Sequence, residues 1–183
     1  MKALLVIDMQ VGLFDGEPPR FDADGVIRRI NKIASAVRTT GGIVVFIQHE
    51  DHGVLKPGTA GWEILPTLER MNTDLLVHKQ ACDSFYETDL SDLLEKHGVQ
   101  QIIVVGCATD FCVDTTIRAA ASRDYEVVVA ADAHTTKDRQ HLDAVTIINH
   151  HNWMWENLIL PRSEVQVLPA NSVIRWLQSE CQS

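Results

Sequence analysis

Six short, largely apolar runs alternate along this chain with segments of a different period, and that alternation limits its fold more than any other feature. The runs are ALLVI at 3–7, IVVFI at 43–47, LLVH at 75–78, IIVVG at 102–106, EVVVAA at 126–131 and VQVL at 165–168. A continuous apolar run, as opposed to a strictly alternating one, suits a strand buried on both faces. Between the runs, apolar residues recur at helical spacing. Residues 24–40 line up Val26, Ile27, Ile30, Ile33, Ala34 and Val37, with Asp22 or Asp24 to cap the start and Gly41–Gly42 to end the helix. Residues 48–61, with Gly53, Pro57, Gly58 and Gly61, read as a loop, and a short helix is predicted over 62–71. Thr88 caps a helix carrying Leu90, Leu93 and Leu94 that Gly98 stops, and further helices are predicted over 111–123, 138–151 and 171–181. Strands alternating with helices pair in parallel through crossovers. The expected fold is therefore α/β, a doubly wound parallel sheet with helices on both faces. The 183 residues fit one domain, 1–183.

Charge and hydropathy exclude several classes. Lys plus Arg number 16 against 25 Asp plus Glu, a net charge of −9, with no run of basic residues. Neither nucleic acid nor an anionic membrane surface is an expected partner. The apolar runs fall far short of the about 18–20 residues that cross a bilayer. Lys2 is followed by only five apolar residues before Asp8, too few for the h-region of a signal peptide. A cytoplasmic protein is expected. Its four cysteines, Cys82, Cys107, Cys112 and Cys181, form no C-x-x-C and read as free thiols. The chain also lacks G-x-G-x-x-G after its first strand and any G-x-x-x-x-G-K-[ST], so no nucleotide cofactor is expected.

In doubly wound sheets ligands sit at the carboxyl ends of the strands, near the point where strand order reverses. Asp8 follows the first run, His78 and Lys79 the third, Gly106-Cys107-Ala108-Thr109-Asp110-Phe111-Cys112 the fourth, and Asp132 the fifth. Cys112 stands at a helix start, where free N–H groups and the dipole favour a thiolate; it is either a nucleophile or a buried structural cysteine. Asp8 reads as a loop cap or a base, and Lys79 as a solvated lysine or a functional one. Together the three make a coherent device, in which the ammonium lowers the thiol pKa and the carboxylate moves protons. Trp62, Tyr86 and Phe111 are pocket or core aromatics. Trp153 and Trp155 read as packing or a subunit contact, Asp132 as a structural cap and Cys107 as a small buried residue. Cys82 and Cys181 receive no role. His49, Asp51 and His52 could supply zinc ligands, but their spacing favours a solvated loop, and no metal is expected.

Four segments, ALLVIDMQ at 3–10, HKQACDSFYETDL at 78–90, IIVVGCATDFCVDTTIRAA at 102–120 and VVVAADAHTT at 127–136, make the chain resemble the isochorismatase-like cysteine hydrolases. That family includes nicotinamidases, N-carbamoylsarcosine amidohydrolases and streptothricin hydrolase, and HHNWMWENL at 150–158 looks most like the last. The resemblance implies a Rossmann-like six-stranded sheet and a triad of Asp8, Lys79 and Cys112. It implies an oxyanion hole from the backbone N–H groups of Ala108 and Cys112, and a cis Cys107–Ala108 bond. The implied chemistry is hydrolysis of a C–N bond in a small amide, lactam or ureido compound through a thioester, without a cofactor, by a homodimer or homotetramer. The sequence departs from nicotinamidases in having no Asp-x-His element near His49, and from the family in placing Leu13 where an aromatic often stands, with Phe14 next to it. The alternatives are an isochorismatase-type vinyl ether hydrolase, a reaction that needs no thiol, and a non-catalytic binding protein on the same fold.

Overall fold

The computed structural model describes residues 1–162 and 164–179. Its frame is one six-stranded sheet built from β1 (Lys2–Ile7), β2 (Ile43–His49), β3 (Leu75–Lys79), β4 (Gln101–Cys107), β5 (Glu126–Thr135) and β6 (Val165–Leu168). Every strand pair is parallel, and the order across the sheet is β3-β2-β1-β4-β5-β6. The helices are α1 (Val11–Phe14), α2 (Ala23–Thr39), α3 (Leu90–Lys96), α4 (Asp114–Ala121), α5 (Ala144–Glu156) and α6 (Ala170–Ser179). A π-helical turn, Thr109–Val113, leads into α4.

The strand pleat divides the core into two layers. Leu4 and Val6 of β1 pack with Ile30, Ile33 and Val37 of α2 and Val173 and Leu177 of α6. Ala3, Leu5 and Ile7 point the other way, to Leu90 and Leu94 of α3, Ile117 of α4 and Trp155 of α5. Because both faces are covered, the strands have no use for polar alternation, which is why they read as continuous apolar runs. Each fully buried aliphatic side chain contributes roughly 1.5–3 kcal/mol of transfer free energy, so the two layers supply the main stabilisation.

Three expected helices differ from those observed. Residues 62–71 form turns, not a helix: Val11 N–H bonds Glu63 O, Leu65 N–H bonds Met9 O, and Gln10 bridges to Ile64. Those backbone groups are committed to the chain after β1, and Pro66 could not continue a helix. The expected 138–151 helix begins at Ala144, because Asp143 accepts from Thr146 N–H at 2.7 Å and so fixes the cap there. The expected 111–123 helix is replaced at its start by the π-helical turn. Asp22 takes the N-cap position of α2 without capping it; its carboxylate pairs with Arg29 instead. Asp132 does act as a cap, accepting from Ala170 N–H at the start of α6 at 2.7 Å. Of the α6 prediction, 171–179 is helical and the remainder, with Cys181, lies outside the described residues.

Candidate active site

Chain order reverses where β1 lies between β2 and β4, so the ends of these strands open the crevice that the sheet provides. Asp8 leaves β1 in the left-handed region (φ 49°), a conformation that Asp tolerates better than most residues. This turn buries its carboxylate at the strand end. Gly106, at φ 118°, lets β4 pass beside it; a Cβ there would meet Ile7 O at 2.2 Å. The next peptide, Cys107–Ala108, is cis, and the π-helical turn then carries Cys112.

The Lys79 side chain, at the end of β3, is wholly buried. Its ammonium has three N–H groups, and three acceptors surround it: Asp8 Oδ2 at 2.8 Å, Ala81 O at 3.0 Å and His49 Nδ1 at 3.3 Å. Lysine donates only, so His49 Nδ1 must be the acceptor and the imidazole proton lies on Nε2. Burial lowers the His49 pKa and Lys79 lowers it further, which keeps this ring neutral. For Lys79, burial pulls the pKa down, but its interactions with Asp8 first and Cys112 second outweigh it and the net movement is upward.

Cys112 is half-buried. Its sulfur, a carboxylate oxygen of Asp8 and a ring nitrogen of His49 all lie within 4.8 Å of one another. Asp8 Oδ1 is buried and has no hydrogen-bond partner. The Cys112 thiol behaves differently from the expectation that Lys79 and the helix start would lower its pKa. Burial raises it first, Asp8 raises it second, and Lys79 only partly opposes them. The reason is charge balance. The Lys79 ammonium is already compensated by Asp8, so a resting thiolate would be a second buried anion. Cys107 is fully buried, donates to Asp8 O at 3.1 Å, and has its pKa pushed up to about 12 by burial.

The sequence singled out neither His49 as a partner of Lys79 nor Gln10. Gln10 is buried, donates to His49 O (3.0 Å) and Trp62 O (2.9 Å), and accepts from His49 N–H (2.8 Å). Its place directly after the Asp8 turn was the available signal. Trp62 is held further by Gln48, and its ring stacks on His78 at 5.4 Å. His78 also pairs with Glu50 at 2.8 Å. Tyr86, 57% exposed, lines a cavity of about 290 Å³ with Glu50, His78, Lys79, Ala81 and Glu87. Phe111, 52% exposed, lies under the Arg139 guanidinium, while Phe14 packs against the α2 layer beneath Arg20. Trp155 is core, and Trp153 is 62% exposed.

A metal fits this site poorly. Asp51 Oδ1 accepts from the Gly53 and Leu55 N–H groups within its own loop, and His52 is exposed, so 49–52 does not converge on one point. Among the described residues, Asp8, His49 and Cys112 have donor atoms close enough for one ion, but the Lys79 ammonium is bonded to two of the three.

Comparison with known proteins gives the fold its relatives. The isochorismatase domain model matches residues 2–152. The chain belongs to the isochorismatase family. It is 37% identical over 140 residues to a streptothricin hydrolase of Streptomyces noursei, an alignment covering 75% of this chain and 56% of that protein. A second streptothricin hydrolase from that organism aligns over 51% of its length, so the chain spans about half of these relatives. A crystal structure of an isochorismatase family protein superposes with a TM-score of 0.84 at 31% identity, covering 90% of this chain and 96% of the other. A cysteine hydrolase from Pseudomonas syringae pv. phaseolicola 1448A shares the fold with a TM-score of 0.88 at 24% identity, covering 97% and 92%. The expected fold and family are thus both observed.

Proposed function

We propose that residues 1–183 form one metal-independent cysteine hydrolase domain that cleaves a C–N bond of a small amide, lactam or ureido compound. The observation that carries this reading is the Asp8 carboxylate: Lys79 holds its Oδ2, its buried Oδ1 has no hydrogen-bond partner, and one of its oxygens lies within 4.8 Å of the Cys112 sulfur. A general base needs a free lone pair near the proton that it removes, and a fixed orientation. In the proposed reaction Asp8 takes the Cys112 proton as sulfur attacks the carbonyl carbon. The N–H groups of Ala108 and Cys112 receive the oxyanion. The C–N bond then breaks, and Asp8 returns the proton to the departing nitrogen. Water, deprotonated by Asp8, attacks the thioester, and the thiol leaves with that proton.

Lys79 holds the Asp8 carboxyl group in one orientation throughout, and neutral His49 holds Lys79 without adding charge. Trp62, Tyr86, Phe14 and Phe111 are the proposed substrate walls. A cytoplasmic setting, where thiols stay reduced, suits chemistry that depends on Cys112. No described helix is long and apolar enough to cross a membrane. The test is a screen of primary amides, ureides and lactams for ammonia release or ring opening, run beside Cys112→Ala. Turnover is expected in the wild type with an acyl adduct on Cys112 trapped by mass spectrometry. Undiminished turnover in Cys112→Ala would overturn the reading.

A further inference from the structure

β5 departs from regular pairing where it passes β4. Val104 pairs with Val129, yet Gly106 pairs with His134, so β4 advances two residues while β5 advances five. This excursion brings His134 level with the start of the nucleophile turn. Its ring is buried, with Nε2 at 2.9 Å from Asn152 Oδ1 on α5 and Nδ1 at 2.9 Å from Thr109 Oγ1. Asn152 uses its own Nδ2 to donate to Ala131 O at 3.0 Å, which turns its oxygen toward the imidazole. Nε2 therefore carries the proton and Nδ1 accepts from the Thr109 hydroxyl. Trp155 closes the site edge-on at 5.1 Å from the ring. Burial lowers the His134 pKa to about 4; Asn152 and Asp132 oppose this and His151 adds to it, so the ring is neutral and the tautomer fixed near neutral pH.

Thr109 is itself fully buried and directly follows Ala108. Ala108 O accepts from both Phe111 N–H at 3.0 Å and Val113 N–H at 3.2 Å. The chain Ala131–Asn152–His134–Thr109 thus runs from the sheet, through α5, to the peptide that opens the turn. We propose that His134 and Thr109 are positioning residues, which clamp the Ala108 and Cys112 N–H groups where an oxyanion forms. This inference rests on the thioester reading given above. It adds a role for a buried histidine that the triad leaves unused.

An oxyanion clamp has a signature that a merely structural contact lacks. Acylation of Cys112 builds negative charge on a carbonyl oxygen, whereas alkylation by iodoacetamide displaces iodide at a saturated carbon and builds none there. p-Nitrophenyl acetate supplies the first reaction: its acyl–oxygen bond breaks, a thioester forms on Cys112 and p-nitrophenol is released. Thr109→Val, which removes the hydroxyl at nearly constant volume, should slow this burst by about 10–100-fold, a part of the 10²–10³ that a lost oxyanion donor costs. Iodoacetamide labelling of Cys112, followed by mass spectrometry, should change less than about twofold, and Thr109→Ser should restore the burst. Asn152→Ala, which frees only the far side of the imidazole, should slow acylation severalfold and spare alkylation, and this variant decides the matter if Thr109→Val does not fold. An unchanged burst in folded Thr109→Val, or equal slowing of both reactions, would overturn the clamp alone. Absence of a Cys112-dependent burst in the wild type would overturn the clamp together with the nucleophile it serves.

Discussion

Asp8→Asn should make Cys112 more reactive toward alkylation while disabling hydrolysis, two effects of opposite sign from one substitution. The substitution keeps the shape of the side chain and suits the left-handed backbone at this position. It removes a negative charge that lies no more than 4.8 Å from the sulfur. At an effective dielectric of about 20, two unit charges at that distance interact by about 3.5 kcal/mol. Loss of that repulsion lowers the thiol pKa by about 2.5. The thiolate fraction at pH 7.5 rises accordingly, but a less basic thiolate is a weaker nucleophile, with a Brønsted slope of about 0.4–0.5. The net expectation is a roughly twentyfold faster second-order reaction with iodoacetamide, read on the Cys112 peptide by mass spectrometry. Burial is the largest cause of the raised thiol pKa and is untouched by this change, so the thiol does not become fully ionised. Hydrolysis should fall by about 10²–10⁴, because an amide cannot accept the proton. Alkylation that is unchanged or slower in folded Asp8→Asn would mean that Asp8 does not oppose the thiolate, and the charge balance argued for this site would be wrong.

Lys79→Met should destabilise the fold by about 3–5 kcal/mol in urea titration by leaving Asp8 buried and unpaired, whereas Asp8→Asn/Lys79→Met should recover most of that loss. His134 favours its neutral form in the folded state, so its contribution is full above pH 6.5 and is lost as pH falls toward about 4. The stability of the wild type relative to His134→Asn should therefore shrink by about 2.5 kcal/mol between pH 7.5 and 4.5; equal pH slopes would refute this. Extended treatment with EDTA should leave the rate unchanged, and elemental analysis should find far less than one metal per chain. Light scattering should report a homodimer or homotetramer, and Trp153→Glu should weaken it, because Leu142, Val145 and Trp153 are exposed apolar residues in and beside α5.

The strands were legible because burial on both faces removes polar residues and leaves runs such as ALLVI and IIVV unmistakable. Asp8, Lys79 and the turn before Cys112 were legible for a related reason, since polar residues directly after such runs lie on one rim of a parallel sheet. What was hidden depends on atoms far apart in sequence. The helix expected over 62–71 failed because its carbonyls and N–H groups are taken by Met9, Gln10 and Val11, more than fifty residues away. The sequence assigned His134 no role, because its place opposite Gly106 and against Thr109 depends on the irregular register of β5 against β4. The direction of the Cys112 pKa was hidden for the same reason, since the sequence does not show that Asp8 already neutralises the lysine beside the thiol.

A buried pair such as Lys79 with Asp8 contributes little net stability, because desolvation of both charges offsets their attraction. Here each of the lysine's three N–H groups is committed, and the other carboxylate oxygen of Asp8 is buried with no hydrogen-bond partner. Satisfying that oxygen would favour stability, whereas the proposed proton transfer needs it free. The neutral resting thiol follows from the same constraint. In the proposed reaction sulfur gains its charge only as Asp8 accepts the proton, so the site holds one net negative charge against one ammonium before and after that step. The attack then carries this charge onto the carbonyl oxygen. For that reason the position of the Ala108 and Cys112 N–H groups, and the buried clamp that fixes it, matters more to the proposed rate than the acidity of the thiol.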